Sequence, residues 1–419
     1  MRILHAPSNV ANQAWAVAQG QRAIGHEAEV WHYGPNPYGF RADRAIETID
    51  DPAVAIALFE EALERDFDVF HFHFARSLVP AVGGLPWFWD LPVLRALGKK
   101  IVFTFHGSDV RRKSAHMEED PWSYFRFAEV GSDEERIDKA LAVIRTYAQH
   151  LVVASPINLT MVPDATYVPK AIDLTELPSP ASPMRDRPLV VHVPSRRATK
   201  GSDFVISGLE ALTARGVPFE FKLVEGVSHD ELLAIYADAD VVVDNLLLGD
   251  AEVSALEAMA LGKPVVTRVR DDVRGTHPDM PAVNADPDSF QAAIEPLLRD
   301  AALRARLGDE GRAYVEKNHA ADVVAKQLDG LYAKPVSPQW RVFPDWTGLS
   351  GDRRKLETYE EKIRSLEVRN VHLSHALDER NRTVAELKGL LEGSAIGRAM
   401  NAVRYGAKKV RGRSKPPPS

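Results

Sequence analysis

Short apolar runs alternate with helical segments along most of this chain; the pattern breaks once at a proline-rich stretch and then begins again. That rhythm narrows the fold more than any other feature, because strands joined through helices lie parallel in an open sheet covered by helices on both faces. Arg2 to His5 reads as the first strand, Ala14 to Gly25 as a helix and Glu29 to His32 as the next strand, with Asp68 to Phe74 and Ile101 to Phe105 after them. Pro169, Pro178, Pro180, Pro183 and Pro188 then crowd one short stretch that reads as a linker, with a boundary near residue 175. A second series of strands starts at Leu189 to Val193 and continues with Phe219 to Glu225 and Asp240 to Val243, and residues 284–333 read as helical. The expectation is two α/β domains. At 419 residues the chain is too long for one ordinary core.

Ligands of such sheets sit beyond the carboxyl ends of the strands, which singles out the loops after Leu4, Phe72 and Phe105. The first, HAPSNVANQAW, has no glycine fingerprint; Asn9 and Asn12 turn the chain and cap the helix or touch a substrate, and the sequence does not choose. The loop HGSDVRRK puts His106 at a strand end ahead of Gly107, which lets the backbone approach a ligand, and Asp109 caps or orients this loop. Arg111 and Arg112 read as a solvated pair, with an anionic acceptor as the alternative. His71 and His73 share one face of their strand, in a structural or a functional role.

In the second half, Arg196 and Lys200 stand four residues apart just before Gly201 and a helix, a compact cationic pair. The stretch DNLLLGDAEVSALEAMALGKPVV, Asp244 to Val266, runs from a strand through a loop into a helix that Gly262 and Pro264 close. Such a loop gathers backbone N–H groups and the positive end of a helix dipole at one point, which suits a phosphate or diphosphate. Glu257 lies one turn further on, where a carboxylate can accept hydrogen bonds from ribose hydroxyls; on a solvent-facing helix it would be an ordinary surface acid. His229, followed by Asp230 and Glu231, looks like a helix N-terminus.

The segment LEAMALGKPVV is similar to the donor-site signature of the group 1 family of retaining GT-B glycosyltransferases, in which two Glu residues separated by seven others precede an A-x-G-x-P-V-V ending. Glu257 matches the second Glu, while Gly249 stands where the family has the first. The resemblance covers about residues 1–333 and implies two Rossmann-like domains facing across a cleft, 1–175 on the acceptor side and 176–333 binding a nucleotide sugar. It implies that Glu257 holds the ribose, that Arg196 and Lys200 (or Arg197 in place of Arg196) neutralise the leaving diphosphate, and that His106 sits beside the reacting carbon. Gly249, Asp250, Glu252 and Ser254 would support the phosphates and sugar, with Asp250 or Glu252 replacing the missing first Glu, and His229 would stand near the nucleobase. Asn9, Asn12 and Asp109 fall on the acceptor side. Transfer with retention needs neither a protein nucleophile nor a cofactor or metal in this family.

Residues 334–351 read as a connector. From 352 to 393, Leu356, Tyr359, Ile363, Leu366, Asn370, Leu373, Leu377, Arg380, Val384, Leu387 and Leu391 follow a heptad seam, with Asn370 favouring a two-stranded, parallel homodimer. Residues 394–419 carry seven Lys and Arg and no acid, with Ile396, Met400, Val403 and Ala407 on one face. Such a basic amphipathic end suits an anionic membrane surface; a nucleic-acid arm or a solubilising tail is the alternative. The net charge of −7 argues against nucleic acid as a partner of the whole chain. The absence of cysteine excludes thiol nucleophiles and disulfides, and no apolar run reaches membrane-spanning length, which is compatible with a cytoplasmic body that is peripheral on the inner face of the cell membrane.

The expected activity is therefore transfer of a sugar from a nucleotide sugar to a glycan, a lipid-linked acceptor or another cell-envelope acceptor. A non-catalytic scaffold recruiting partners through its coiled coil is one alternative; a nucleotide-sugar epimerase or a phosphorylase of the same fold is another.

Overall fold

A computed structural model of the chain describes residues 1–46, 49–179 and 185–336, together with residue 382. The heptad seam apart from position 382, the end of the connector and the basic end lie outside the described residues. The first sheet has seven strands: β1 (Arg2–Ala6), β2 (Glu27–Tyr33), β3 (Arg44–Ile46), β4 (Val69–His73), β5 (Lys100–Phe105), β6 (His150–Val153) and β7 (Thr166–Tyr167). They lie in the order β3-β2-β1-β4-β5-β6-β7, and every pairing is parallel. Helices α1 (Gln13–Ala23), α2 (Pro52–Glu64), α3 (Asp90–Ala96), α4 (Lys113–Glu119) and α5 (Glu134–Tyr147) accompany it.

The second sheet has five parallel strands, β8 (Leu189–His192), β9 (Glu220–Leu223), β10 (Val241–Val243), β11 (Val265–Thr267) and β12 (Val283–Asn284), ordered β12-β11-β10-β8-β9. Its helices are α6 (Arg197–Lys200), α7 (Ser202–Ala214), α8 (His229–Asp238), α9 (Val253–Ala260), α10 (Asp271–Arg274), α11 (Phe290–Arg299) and α12 (Ala301–Asn318). The central strands β10 (VVV) and β11 (VVT) are valine-rich throughout because parallel strands covered on both faces bury every side chain.

α13 (Ala321–Tyr332) belongs to the first sheet's core, where Val324, Leu328 and Tyr332 pack with Val17 of α1 and Val152 of β6. It lies so close to α1 that a Cβ on Gly20 would fall 2.0 Å from the Ala321 carbonyl oxygen. The chain thus crosses between the sheets twice, and the crossings touch: Ile172 N–H donates to His319 O at 2.7 Å, and Ala321 N–H donates to Ile172 O at 3.0 Å.

Two switch points follow from the strand orders. In the first sheet the order reverses between β1 and β4; in the second it reverses between β8 and β10. A ligand crevice opens where the chain leaves two neighbouring strands in opposite directions.

Candidate active site

At the second switch point the loop after β8 carries Arg196 and Lys200, and the loop after β10 carries Asp244 through Glu252. Lys200 is buried; its Nζ donates to Asp244 Oδ1 at 2.7 Å and to Ser254 Oγ at 3.3 Å. Burial opposes the charge on Asp244, but Lys200, Ser254 and Asn245 hold its carboxyl below the usual range. Arg196 is exposed and has no carboxylate partner among the described residues, whereas Arg197 lies 3.8 Å from Asp203 and 3.9 Å from Glu225.

α9 opens at Glu252, whose backbone N–H donates to Asp244 Oδ2 at 3.3 Å. Nearly the whole helix is enclosed, because α8 and α12 cover it. Glu257 is accordingly buried, and His229 Nε2 lies 2.6 Å from its Oε1. Burial works against a charged His229, but the hydrogen bond to Glu257, together with the carboxylates of Glu257, Asp230 and Glu176, raises its pKa. From the first lobe, Tyr38 O accepts from the His229 backbone N–H at 2.9 Å, and Phe40 meets the ring edge-on at 5.3 Å. A small hollow beside this pair is lined by Asn12, Gln13, Asp173 and Glu176 as well as by His229 and Glu257.

Gly249 has φ +84°, and a Cβ there would lie 2.8 Å from Arg270 Cδ. The place where the family resemblance implies an acid is filled by the arginine stem. Arg270 in turn pairs with Asp272 at 2.6 Å and Glu119 at 3.3 Å, and the neighbouring Arg268 forms a buried two-pronged pair with Asp120 at 2.5 and 2.9 Å.

Asp250 is fully enclosed. Oδ2 accepts from Ser155 Oγ at 2.5 Å and from Lys170 Nζ at 3.0 Å, while Oδ1 lies 2.9 Å from His277 Nε2. Burial alone would raise its pKa; Lys170, His277 and Ser155 together hold it well below the carboxylate range. Glu252 remains half-buried, and its side chain has no hydrogen-bonding or ion-pair partner among the described residues.

At the first switch point, His106 follows β5. Its backbone N–H and that of Gly107 donate to Asp109 at 3.1 and 2.7 Å, so Asp109 orients the loop. Burial raises the Asp109 pKa to about 6 against those hydrogen bonds. Burial, with the Lys170 cation behind it, lowers His106 to about 3 and leaves a neutral imidazole at neutral pH. Asn9 Nδ2 donates to Asn12 Oδ1 at 3.1 Å and to Arg41 O at 2.9 Å, and Asn9 Oδ1 accepts from the Trp15 N–H at 3.3 Å, so this pair shapes the turn into α1.

Several residues here carried no signal in the sequence. Lys170, which reaches from the linker side to Asp250, and the Asp120–Arg268 pair are isolated charges until the fold joins them. His5 and Gln21 are a third group, and only the alternation in HFHF hinted at the cluster they complete. Arg112 pairs with Asp138, as a surface residue would, but Arg111 is buried against the Tyr124 ring at 5.7 Å, and its Nε has no partner among the described residues.

Residues 185–330 match the family model described as "Glycosyl transferase-like". Over 150 residues the chain is 30% identical to a D-inositol 3-phosphate glycosyltransferase from Salinispora tropica, a match that spans 34% of this chain and 30% of that protein. The chain is similar in structure to sucrose-phosphate synthase from Thermosynechococcus elongatus, with a TM-score of 0.53 at 16% identity over 79% of this chain and 98% of the other. It also resembles the catalytic domain of starch synthase IV from Arabidopsis thaliana bound to ADP and acarbose, with a TM-score of 0.50 at 11% identity over 79% and 98%. The two-sheet architecture is that of these structures, and the matched segment contains Arg196, Lys200 and Glu257 at the second switch point. The fold is thus the two-domain one of these enzymes, and residues 185–330, which hold the second switch point, are similar in sequence to a glycosyl transferase-like domain.

Proposed function

We propose that this protein transfers a sugar from a nucleotide-sugar donor to an acceptor hydroxyl with retention of configuration and without a metal. What carries the reading is that Lys200, from the loop after β8, meets Ser254 on α9, the helix that also carries Glu257, at a switch point, with the amino end of α9 beside them. The bond from the sugar's anomeric carbon to the diphosphate breaks, a bond to the acceptor oxygen forms on the same face, and the acceptor's proton leaves with the phosphate. Charge builds on the diphosphate as this happens. Arg196, exposed and without a carboxylate partner among the described residues, closes on it, Lys200 shares itself between Asp244 and the phosphate, and the α9 amino end adds its dipole. Glu257 accepts from the ribose, with His229 fixing its carboxylate. The starch synthase captured with ADP is consistent with such a donor, and the similarity to a D-inositol 3-phosphate glycosyltransferase with glycosyl transfer.

Glu252, open at the head of α9, takes the sugar contact that an acid at 249 would make; Asp250, spent on Lys170, Ser155 and His277, positions the lobes instead. Asn9, Asn12 and Asp109 shape the acceptor side around His106. The heptad seam of 352–393 pairs two chains, and the basic end of 394–419 holds them at an anionic membrane surface on the cytoplasmic side, where a lipid-linked or cell-envelope glycan would be the acceptor. Among the described residues no helix is long and apolar enough to cross a membrane.

The test is a thermal-shift panel of nucleoside diphosphates and nucleotide sugars on the wild type and Glu257→Ala. A ligand at 100 times its Kd stabilises the folded state by about 2.7 kcal/mol. One nucleotide should shift the wild type and not the variant. A panel that leaves the wild type unmoved at millimolar concentration removes the proposal.

A further inference from the structure

Behind His106 the core holds an unbroken line of polar groups. His106 Nε2 lies 3.0 Å from His73 Nδ1, His73 Nε2 lies 3.0 Å from His5 Nδ1, and His5 Nε2 lies 2.7 Å from Gln21 Oε1. Gln21 Nε2 then donates to Tyr332 Oη at 3.3 Å, Tyr332 Oη lies 2.5 Å from His71 Nδ1, and His71 Nε2 lies 2.6 Å from Thr104 Oγ1. His5, His71, His73 and Gln21 are buried, and the histidines are held neutral: burial lowers His5 to about 4 and takes His71 and His73 well below their ordinary value.

A neutral imidazole has one N–H and one lone pair, so each bond in the line dictates the next. The Gln21 carbonyl oxygen can only accept. His5 therefore carries its proton on Nε2 and offers Nδ1 as a lone pair. His73 must then donate from Nε2 and accept at Nδ1, and His106 must donate from Nε2. The Nδ1 of His106, which has no protein partner among the described residues, is left with a lone pair. At the far end the bookkeeping also closes, since Tyr332 accepts from Gln21, donates to His71, and leaves His71 Nε2–H to donate to Thr104.

We propose that Gln21, His5 and His73 are positioning residues that hold His106 in one neutral tautomer with a bare Nδ1, so that the group His106 meets must donate a hydrogen bond. Resting on the transferase reading, this narrows the substrate class: a sugar bearing a neutral hydroxyl at that point is accepted, and one bearing a carboxylate there is refused, because two acceptors would face each other in a desolvated site.

The readout is the protonation state of each ring nitrogen in the full chain labelled with ¹⁵N-histidine, with His106→Gln identifying the His106 signals. At pH 7.5 and without any nucleotide, His106 should show an unprotonated Nδ1 and a protonated Nε2. Gln21→Leu, which removes the fixed acceptor three hydrogen bonds away from His106, should give a mixture of both tautomers; His73→Phe cuts the line one bond away and should do the same if Gln21→Leu fails to fold. A protonated Nδ1 in the wild type means that the Gln21 amide faces the other way and overturns the proposal. So does a single tautomer that persists in the folded variant. Stoichiometric metal in the purified protein overturns it as well, because an ion on His5, His71 and His73 would take the lone pairs that these bonds use. If the transferase reading holds, Gln21→Leu lowers kcat at least tenfold while the nucleoside diphosphate thermal shift stays unchanged. The tautomer measurement needs no donor, so it stands or falls apart from the transfer assay.

Discussion

Lys200 and Asp244 sit side by side in the interior, and each makes the other tolerable. Replacing Asp244 with Ala leaves a buried ammonium with only Ser254 as a partner among the described residues and should cost about 3–5 kcal/mol in chemical denaturation. At Gly249 the constraint is steric. Gly249→Ala puts a methyl group against Arg270 at a positive φ and should lower stability by about 1–3 kcal/mol, and Gly249→Glu, which restores an acid at that position, should be no better tolerated. Glu257 and Ser254 could be proposed from the sequence because they share one local strand–loop–helix unit, and Lys200 because it stands just before a glycine-led helix in a strand–loop–helix unit of its own. The partners of Asp250 could not: they lie 95, 80 and 27 positions away, and nothing in the local pattern around Asp250 distinguishes a contact to a sugar from a contact to Lys170.

Element ends were legible for similar reasons. Gly262 and Pro264 stop α9, and Ser228 with Glu231 forms a capping box at the start of α8, where His229 had read as a helix N-terminus. What covers an element was not legible. α9 is buried on nearly all sides because the small residues of α12 let it come close: a Cβ on Gly308 would lie 2.1 Å from the Gly262 carbonyl oxygen, and one on Gly311 would lie 3.2 Å from Met259. The same device joins α1 to α13. Gly20→Ala should push the two helices apart, with a loss of about 1–3 kcal/mol or more and faster amide exchange in Ala321–Tyr332 than in α12.

For the whole molecule, the interior histidines set the response to acid. His5, His192 and His319 are lowered to about 4, and His106 and His116 to about 3, in each case chiefly by burial. Unfolded, the same side chains take up protons near pH 6.5. Between that pH and about 4 the unfolded chain therefore binds more protons than the folded one, and stability falls as the pH drops. The melting temperature should decline steadily from pH 7 to pH 5, before most carboxylates titrate. His229 has the opposite sign, since its raised pKa gives stability that is lost as pH rises through it, but it is one group against nine lowered histidines, His32, His71, His73 and His150 among them. Asp120→Ala, which strands Arg268 in the contact between the lobes, should cost about 3–5 kcal/mol, read by denaturant midpoint.

The two crossings between the sheets have a mechanical consequence. Two tethers set well apart would clamp the lobes against most rotations. Here Ile172 and the His319–Ala321 segment are bonded to each other, so both tethers pass through one place and act as the spine of a book. Rotation about that line would separate Asp120 from Arg268 and Tyr38 from His229 while the strand pairing and packing within each of the two cores stayed as they are.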